Sequence, residues 1–306
     1  MTRGGNQRRS GWRVHAALAS AQLGFALFPV FGKLALSSIP PLVFAALRVV
    51  SAAILLEAIR RFFTREEIAR ADRRRVLLYA LLGVSFNQIL FILGLSLTTA
   101  IHTTILTAMI PVFTLAAAVL LGREKMTLST GAALMLALAG ALLLLNVQDF
   151  GSRSDYFRGN LLLLANGMSY SLYLVFSRPV LERYRVATFT AAVFRYGALP
   201  ILLVATPSLA RFSPGAVSPL SWACLAAVVL FCTVLPYLLN SWALARTDAS
   251  QVAFYVFVQP VFSAALAVTI LGEELTDKTV LAAVLILAGL AVSSIRSRRL
   301  PVRPLP

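Results

Sequence analysis

Two arginines, Arg48 in ALRVVSAAILL and Arg195 in VFRYGALPILL, sit among neighbours that are almost all apolar. A guanidinium in such a place carries a fixed charge and several donors, chemistry suited to attracting an anion. It can equally cap backbone carbonyls or snorkel toward lipid headgroups, and the sequence leaves both readings open. Neutral polar and aromatic residues gather in the same kind of apolar surroundings. Gln22, Phe25 and Phe28 form one group and Asn87, Gln88 and Phe91 a second; Asn166, Tyr170 and Tyr173 form a third, Asn240 and Trp242 a fourth, Gln251, Tyr255 and Gln259 a fifth. Spacings of three and four put Asn166, Tyr170 and Tyr173 on one face of a helix, and likewise Gln251, Tyr255 and Gln259. An amide facing hydrocarbon is unfavourable, whereas one facing water or a polar solute is useful. As a set, Gln22, Phe28, Asn87, Phe91, Asn166, Tyr170, Tyr173, Asn240, Tyr255 and Gln259 are the candidate contacts for a small-molecule substrate. Any one of them alone could instead be an inter-helix hydrogen bond or packing contact.

Lys33, Arg48, Arg195, Pro111 and Pro260 are candidates for a gating or structural role. Each proline removes a helix hydrogen bond and invites a kink. Catalysis finds no support. His15 and His102 are far apart, there is no HExxH motif and no paired carboxylates, so no catalytic residues, metal ligands or cofactor are expected. Cys224 and Cys232 lie eight apart in one apolar stretch, roughly 12 Å along a helix, too far to bridge.

The elements that must position these residues follow from composition. The chain has 306 residues, 59% hydrophobic and 13% charged, with a mean hydropathy of +0.82. These values describe a membrane protein rather than a domain with a polar exterior. Apolar segments of spanning length fall at about 14–36, 41–59, 76–97, 100–121 and 128–146, then 159–177, 187–206, 219–243, 249–271 and 278–295. The expected fold is therefore an all-α membrane protein of ten transmembrane helices. The first stretch lacks a cleavage context and reads as a helix rather than a signal peptide.

The net charge of +16 does not point to nucleic acid, because the basic residues lie in short connections and not on a soluble surface. They are distributed by side. Arg3, Arg8, Arg9 and Arg13 fall on one side with Arg60, Arg61, Arg65, Arg70 and Arg73–Arg75, Arg123, Lys125, Arg178, Arg183, Arg185, Arg246 and the tail arginines. The other side holds Lys33, Arg153, Arg158, Arg211 and Lys278. The positive-inside bias places both termini in the cytoplasm. The charged segment Thr64–Arg75 reads either as a solvated loop or as a short amphipathic helix on anionic lipid.

Sliding the chain by 149 residues lays Pro111, Val112 and Phe113 on Pro260, Val261 and Phe262. The same shift pairs Thr98 with Thr247, Glu124 with Glu273, Thr127 with Thr276 and Gly140 with Gly289. Residues 14–146 and 159–295 are thus expected to be two five-helix repeats, and an odd number of spans inverts the second relative to the first. Inverted repeats are characteristic of carriers that rock about a midplane site. The fifth and tenth helices are rich in small residues, with Gly131, Gly140 and Gly289, and suit a scaffold or a homodimer face. Thr127 and Thr276 are placed to cap them.

The motifs FGKLAL, ALRVVSAAILL and PVFTLAAAVLLGREKMT recur as FSRPVLE, VFRYGALPILL and PVFSAALAVTILGEELT. In this the chain resembles the EamA-type, ten-helix branch of the drug/metabolite transporter superfamily over nearly its whole length. The first copy departs from the pattern, with Arg123 where the second has Gly272. The resemblance implies alternating-access transport of small organic metabolites such as amino acids, commonly export, in a bacterial inner (plasma) membrane, with lipid as the surrounding partner. A channel or facilitator for small solutes is the alternative. No carboxylate lies centrally in a span, Glu57 being near an end, so proton coupling has no obvious residue and gradient-driven facilitation or exchange is expected.

Overall fold

The computed structural model describes residues 7–121, 128–145, 154–247 and 249–297. The segment with Arg123, Glu124, Lys125 and Thr127, and the basic tail beyond 297, lie outside the described residues, as does the Gln251 side chain. Every regular element among the described residues is helical. The first half holds α1 (Gln7–Leu36), α2 (Pro41–Phe63), α3 (Arg70–Leu97), α4 (Ala100–Thr107 and Ile110–Leu120) and α5 (Leu128–Leu145). The second holds α6 (Asp155–Leu181), α7 (Val186–Ala210), α8 (Pro219–Leu244), α9 (Ala249–Phe254, then Tyr255–Phe257 and Val258–Leu266, ending in Ala267–Leu271) and α10 (Asp277–Ser297). Each apolar segment expected from the sequence falls on one of these.

Among the described residues six stretches, Trp12–Leu36, Pro41–Phe63, Arg70–Leu97, Ala100–Ala117, Val186–Ala210 and Pro219–Leu244, are long and apolar enough to cross a membrane. α6 has the length, at 27 residues, but Asn160, Asn166, Ser169 and Ser171 lower its hydropathy, and all four are buried against other helices. The outer surface is apolar instead: Ile54, Leu120, Leu128, Met135 and Leu203 are exposed, as hydrocarbon contact requires.

Local sequence explains where the helices begin. Pro41 occupies the first turn of α2, and Pro219 that of α8, where a missing N–H costs nothing. Ser218 accepts from the amide of Ser221 to cap α8, and Thr276 accepts from Thr279 to cap α10, as expected. The segment before α3 is not an amphipathic helix on lipid. Residues 64–69 are irregular and helix begins only at Arg70.

The prolines act differently from the expected mid-helix kinks. α4 breaks at residues 108–109, and Pro111 sits in the first turn of the helix that resumes, where no bond is lost. Pro260 sits in the first turn after the 3-10 stretch Tyr255–Phe257. Each proline follows a break rather than causing one from the helix interior.

Packing repeats with the halves exchanged. α3 packs on α6 as α1 does on α8, and α4 packs on α6 as α1 does on α9; α2 pairs with α7 and α5 with α10. Of three π-helical stretches among the described residues, Leu81–Ser85 in α3 and Leu230–Val234 in α8 are separated by the same 149 residues as the sequence offset, the third being Ala267–Leu271 in α9. In α8 the wide turn is followed by Pro236, which offers no N–H to the carbonyl of Phe231. That carbonyl faces Gly24 of α1, where an added Cβ would lie 2.5 Å from the oxygen. A side chain there could not be accommodated, so Gly24 permits the α1–α8 contact.

Candidate functional site

The polar residues of the spans converge between α1, α3, α6, α8 and α9, where they form two adjoining buried networks. In the first, Asn240 Nδ2 donates to the Tyr170 hydroxyl at 2.9 Å and Gln22 Nε2 to Asn240 Oδ1 at 3.5 Å; Gln259 Nε2 donates in turn to Gln22 Oε1. All four side chains are buried. One step further along the α1–α9 contact, the His15 ring bonds the Tyr255 hydroxyl. Amides in such a row meet their bonding needs through each other and can exchange those partners for groups on a solute.

The second network centres on Arg48. Its Nε donates to Thr233 Oγ1 at 2.7 Å and its Nη1 to Gln88 Oε1. Gln88 Nε2 donates to the Tyr237 hydroxyl at 2.9 Å and to Asn87 Oδ1 at 3.0 Å, and Tyr237 donates to the carbonyl of Gly83 at 3.1 Å. Asn166 Nδ2 completes it by donating to the Asn87 carbonyl at 2.7 Å. That carbonyl lies just past the π turn of α3. The Phe28 ring lies 3.8 Å from the guanidinium carbon and stacks on Phe91 at 4.6 Å between centroids. A ring face so placed attracts the cation while shielding it from solvent. Tyr173 packs across Gly83, where a Cβ would fall 2.5 Å from its ring, and lies beside Tyr170 at 5.7 Å.

The structure thus brings Gln22, Tyr170, Asn240 and Gln259 together, and Phe28, Asn87, Phe91 and Asn166 around Arg48, with Tyr173 beside both networks and Tyr255 next along α9. The two arginines are not equivalent. Arg48 is 1% exposed and bonded to side chains, so it neither snorkels nor caps carbonyls. Arg195 is exposed and lines a shallow cleft with Glu57, Arg60, Glu66 and Thr188. Lys33 is half-buried, apart from both networks. Sequence reasoning missed Thr233 and Tyr237 and left Gln88 out of the site. The repeat offset points to Tyr237 directly, because it is Gln88 shifted by 149 residues.

On the arginine-rich face, the irregular segment before α3 is tied to the α6–α7 turn. Asp72 accepts from the Tyr184 hydroxyl at 2.7 Å and from Arg183 at 3.3 Å, while Glu66 accepts from the amide of Arg185 at 2.8 Å. Burial, with the Asp72 carboxylate beside it, raises the pKa of Tyr184 above the usual phenol range. On the opposite face, both carboxylate oxygens of Glu273 accept from the start of α4, from the amides of Ala100 at 2.7 Å and Ile101 at 2.8 Å. His102, one turn on, lies among Thr98, Asn160 and Thr279. Among the described residues no group of three or more His, Cys, Asp or Glu side chains is placed to hold a metal ion.

The profile of the EamA-like transporter family matches residues 12–146 and again residues 157–295. An uncharacterized transporter of Archaeoglobus fulgidus is 26% identical, the match covering 94% of this chain and 99% of that one. Protein WALLS ARE THIN 1 of Arabidopsis thaliana is 26% identical, with 93% and 85% covered, and the uncharacterized transporter YetK of Bacillus subtilis 24% identical, with 96% and 89% covered. A protein of known crystal structure shares the fold with a TM-score of 0.67 at 18% identity, the match covering 94% of this chain and 99% of that one. With both halves matched, this integral membrane protein belongs to the EamA-like transporter family of the drug/metabolite transporter superfamily.

Proposed function

We propose that the protein is an alternating-access carrier of small organic metabolites, working as an exporter in a bacterial inner membrane. It has ten transmembrane helices, in two inverted repeats at 14–146 and 159–295, with both termini in the cytoplasm. The observation that carries this reading is the buried row Tyr170–Asn240–Gln22–Gln259. It joins α1 of one half to α6, α8 and α9 of the other at the centre of the bundle. Polar groups are costly within a membrane and are kept where a polar solute or an inter-helix bond uses them.

The two halves meet in ways that suit rocking about this centre. The Asp72–Tyr184 and Glu66–Arg185 contacts close the arginine-rich face, and Glu273 ties the α9–α10 turn to α4 on the other. Alternating access would break these ties in turn while the central amides change partners. The family match repeated over both halves, the shared 149-residue spacing of the π turns and the exchanged packing pattern support the repeat.

The test is flux in proteoliposomes holding the purified chain, with a metabolite extract as the starting pool. Saturable uptake accelerated by the same solute on the opposite side supports a carrier. Flux that rises linearly without saturation makes the protein a channel. Single cysteines at Lys125 and Glu274, equivalent positions of the two halves at the 149-residue offset, labelled with an impermeant reagent, test the topology: labelling from the same side overturns the inverted arrangement.

A further inference from the structure

We infer that the central site takes a small organic monocarboxylate, whose carboxylate is held by Arg48. This rests on the carrier reading above and adds the chemical class of its substrate. Arg48 is 1% exposed, yet its bonds run only to neutral groups, Thr233 Oγ1 and Gln88 Oε1, and to the face of Phe28. Among the described residues the ion pairs involve Arg60, Arg61, Arg75, Arg158, Arg178 and Arg183 but not Arg48. A buried cation without an anion is unfavourable, and its field is weakly screened in a low-dielectric interior, so the site attracts negative charge.

The charge and shape of the surroundings narrow the ligand. Among the described residues bonded into this network, Arg48 is the one basic side chain, so one guanidinium answers one negative charge. That fits a carboxylate better than a phosphate monoester, which carries more. A planar carboxylate also matches the planar guanidinium edge. The stacked Phe28 and Phe91 rings offer an apolar wall, which favours an organic acid over an inorganic anion. Residues of α1, α2, α3 and α8 enclose the group, so a solute reaches it only when these helices part.

Thermal unfolding of the purified full chain in detergent, at constant ionic strength, tests the inference. The probes are acetate, butyrate and benzoate, each against its neutral amide, with chloride as the inorganic control. At least one acid should raise the Tm saturably, at concentrations tenfold or more below its amide. Arg48→Gln should abolish that difference and Arg48→Lys should keep part of it. Acids and amides acting alike, no acid acting, chloride alone acting, or an undiminished difference in Arg48→Gln would each overturn it. Should Arg48→Gln fail to fold, the acid–amide comparison on the natural chain still decides. Flux of the same labelled probes separates the two readings. Acids that bind but are not carried would sink the carrier and leave the anion site, whereas amides carried as well as acids would do the reverse.

Discussion

Gln88 and Tyr237 are 149 residues apart, and Gln88 Nε2 donates to the Tyr237 hydroxyl at 2.9 Å. The same interval superposes the Pro-Val-Phe motifs and separates the π turns of α3 and α8. Residues that correspond between two related halves and also touch each other lie on the axis relating them. The proposed rocking axis therefore runs past this hydrogen bond, one residue from Arg48 through Gln88. At this proposed axis the two positions carry complementary groups, an amide on one side and a phenol on the other.

Tyr237→Phe is expected to destabilise the protein by about 1–3 kcal/mol, the usual cost of leaving a buried polar partner short. It removes the acceptor for Gln88 and the donor to the Gly83 carbonyl while keeping the ring against Phe25 and Phe194. The fall in Tm should overlap with that of Gln88→Leu, so that the double variant loses less than the sum. Strict additivity would show that the two do not act as a pair.

Gln22 accepts from Gln259 and donates to Asn240, so it links α1 to both α8 and α9. Gln22→Leu should reduce flux at least tenfold at normal membrane abundance, with Asn240→Leu similar. Leu203→Ala, on the exposed surface of α7, should leave flux near normal. Transport assays on quantified proteoliposomes make the comparison, and unimpaired flux in both polar variants would remove the central row from the substrate path.

Glu273 reads in the sequence as part of a Gly-Glu-x-Leu-Thr family motif, with no hint of what it touches. In the structure Gly272 adopts a left-handed φ of 66°, which turns the chain so that the Glu273 carboxylate meets two free amides at the start of α4. Glu273→Ala should cost about 1–2 kcal/mol, in the range of a lost helix cap. Glu273→Gln should recover part of that. Thermal unfolding of the three proteins gives the order, and equal stability of all three would show that the contact contributes nothing.

These cases mark what a sequence can and cannot disclose. Helix positions were legible because spanning segments are long and uniformly apolar. Arg48 and Arg195 looked alike because both are single charges in apolar runs. Only tertiary placement separates the buried one, facing α3 and α8, from the exposed one beside Glu57. The expected kinks at Pro111 and Pro260 are instead breaks that precede each proline, since a proline fixes its own φ but not the turn before it. Tyr237 was overlooked because, taken singly, a tyrosine in an apolar helix looks like packing.

Gly140 and Gly131 have the same identity in the same helix, α5, and opposite surroundings. A Cβ at Gly140 would lie 2.7 Å from the carbonyl oxygen of Ala282 and 2.8 Å from Ile286, against the backbone of α10. A Cβ at Gly131 would meet nothing within 4 Å. Close approach at Gly140 lets α5 and α10 pack along their length, and backbone cannot yield as a flexible side chain can. Gly140→Ala should therefore cost about 1–3 kcal/mol by overpacking, visible as a lower Tm and reduced membrane yield. Gly131→Ala should be neutral or gain up to about 1 kcal/mol from helix propensity. Because neither residue reaches the polar networks, flux per folded molecule should stay unchanged in both. A selective loss of flux in well-folded Gly140→Ala would mean instead that α5 and α10 move against each other during transport.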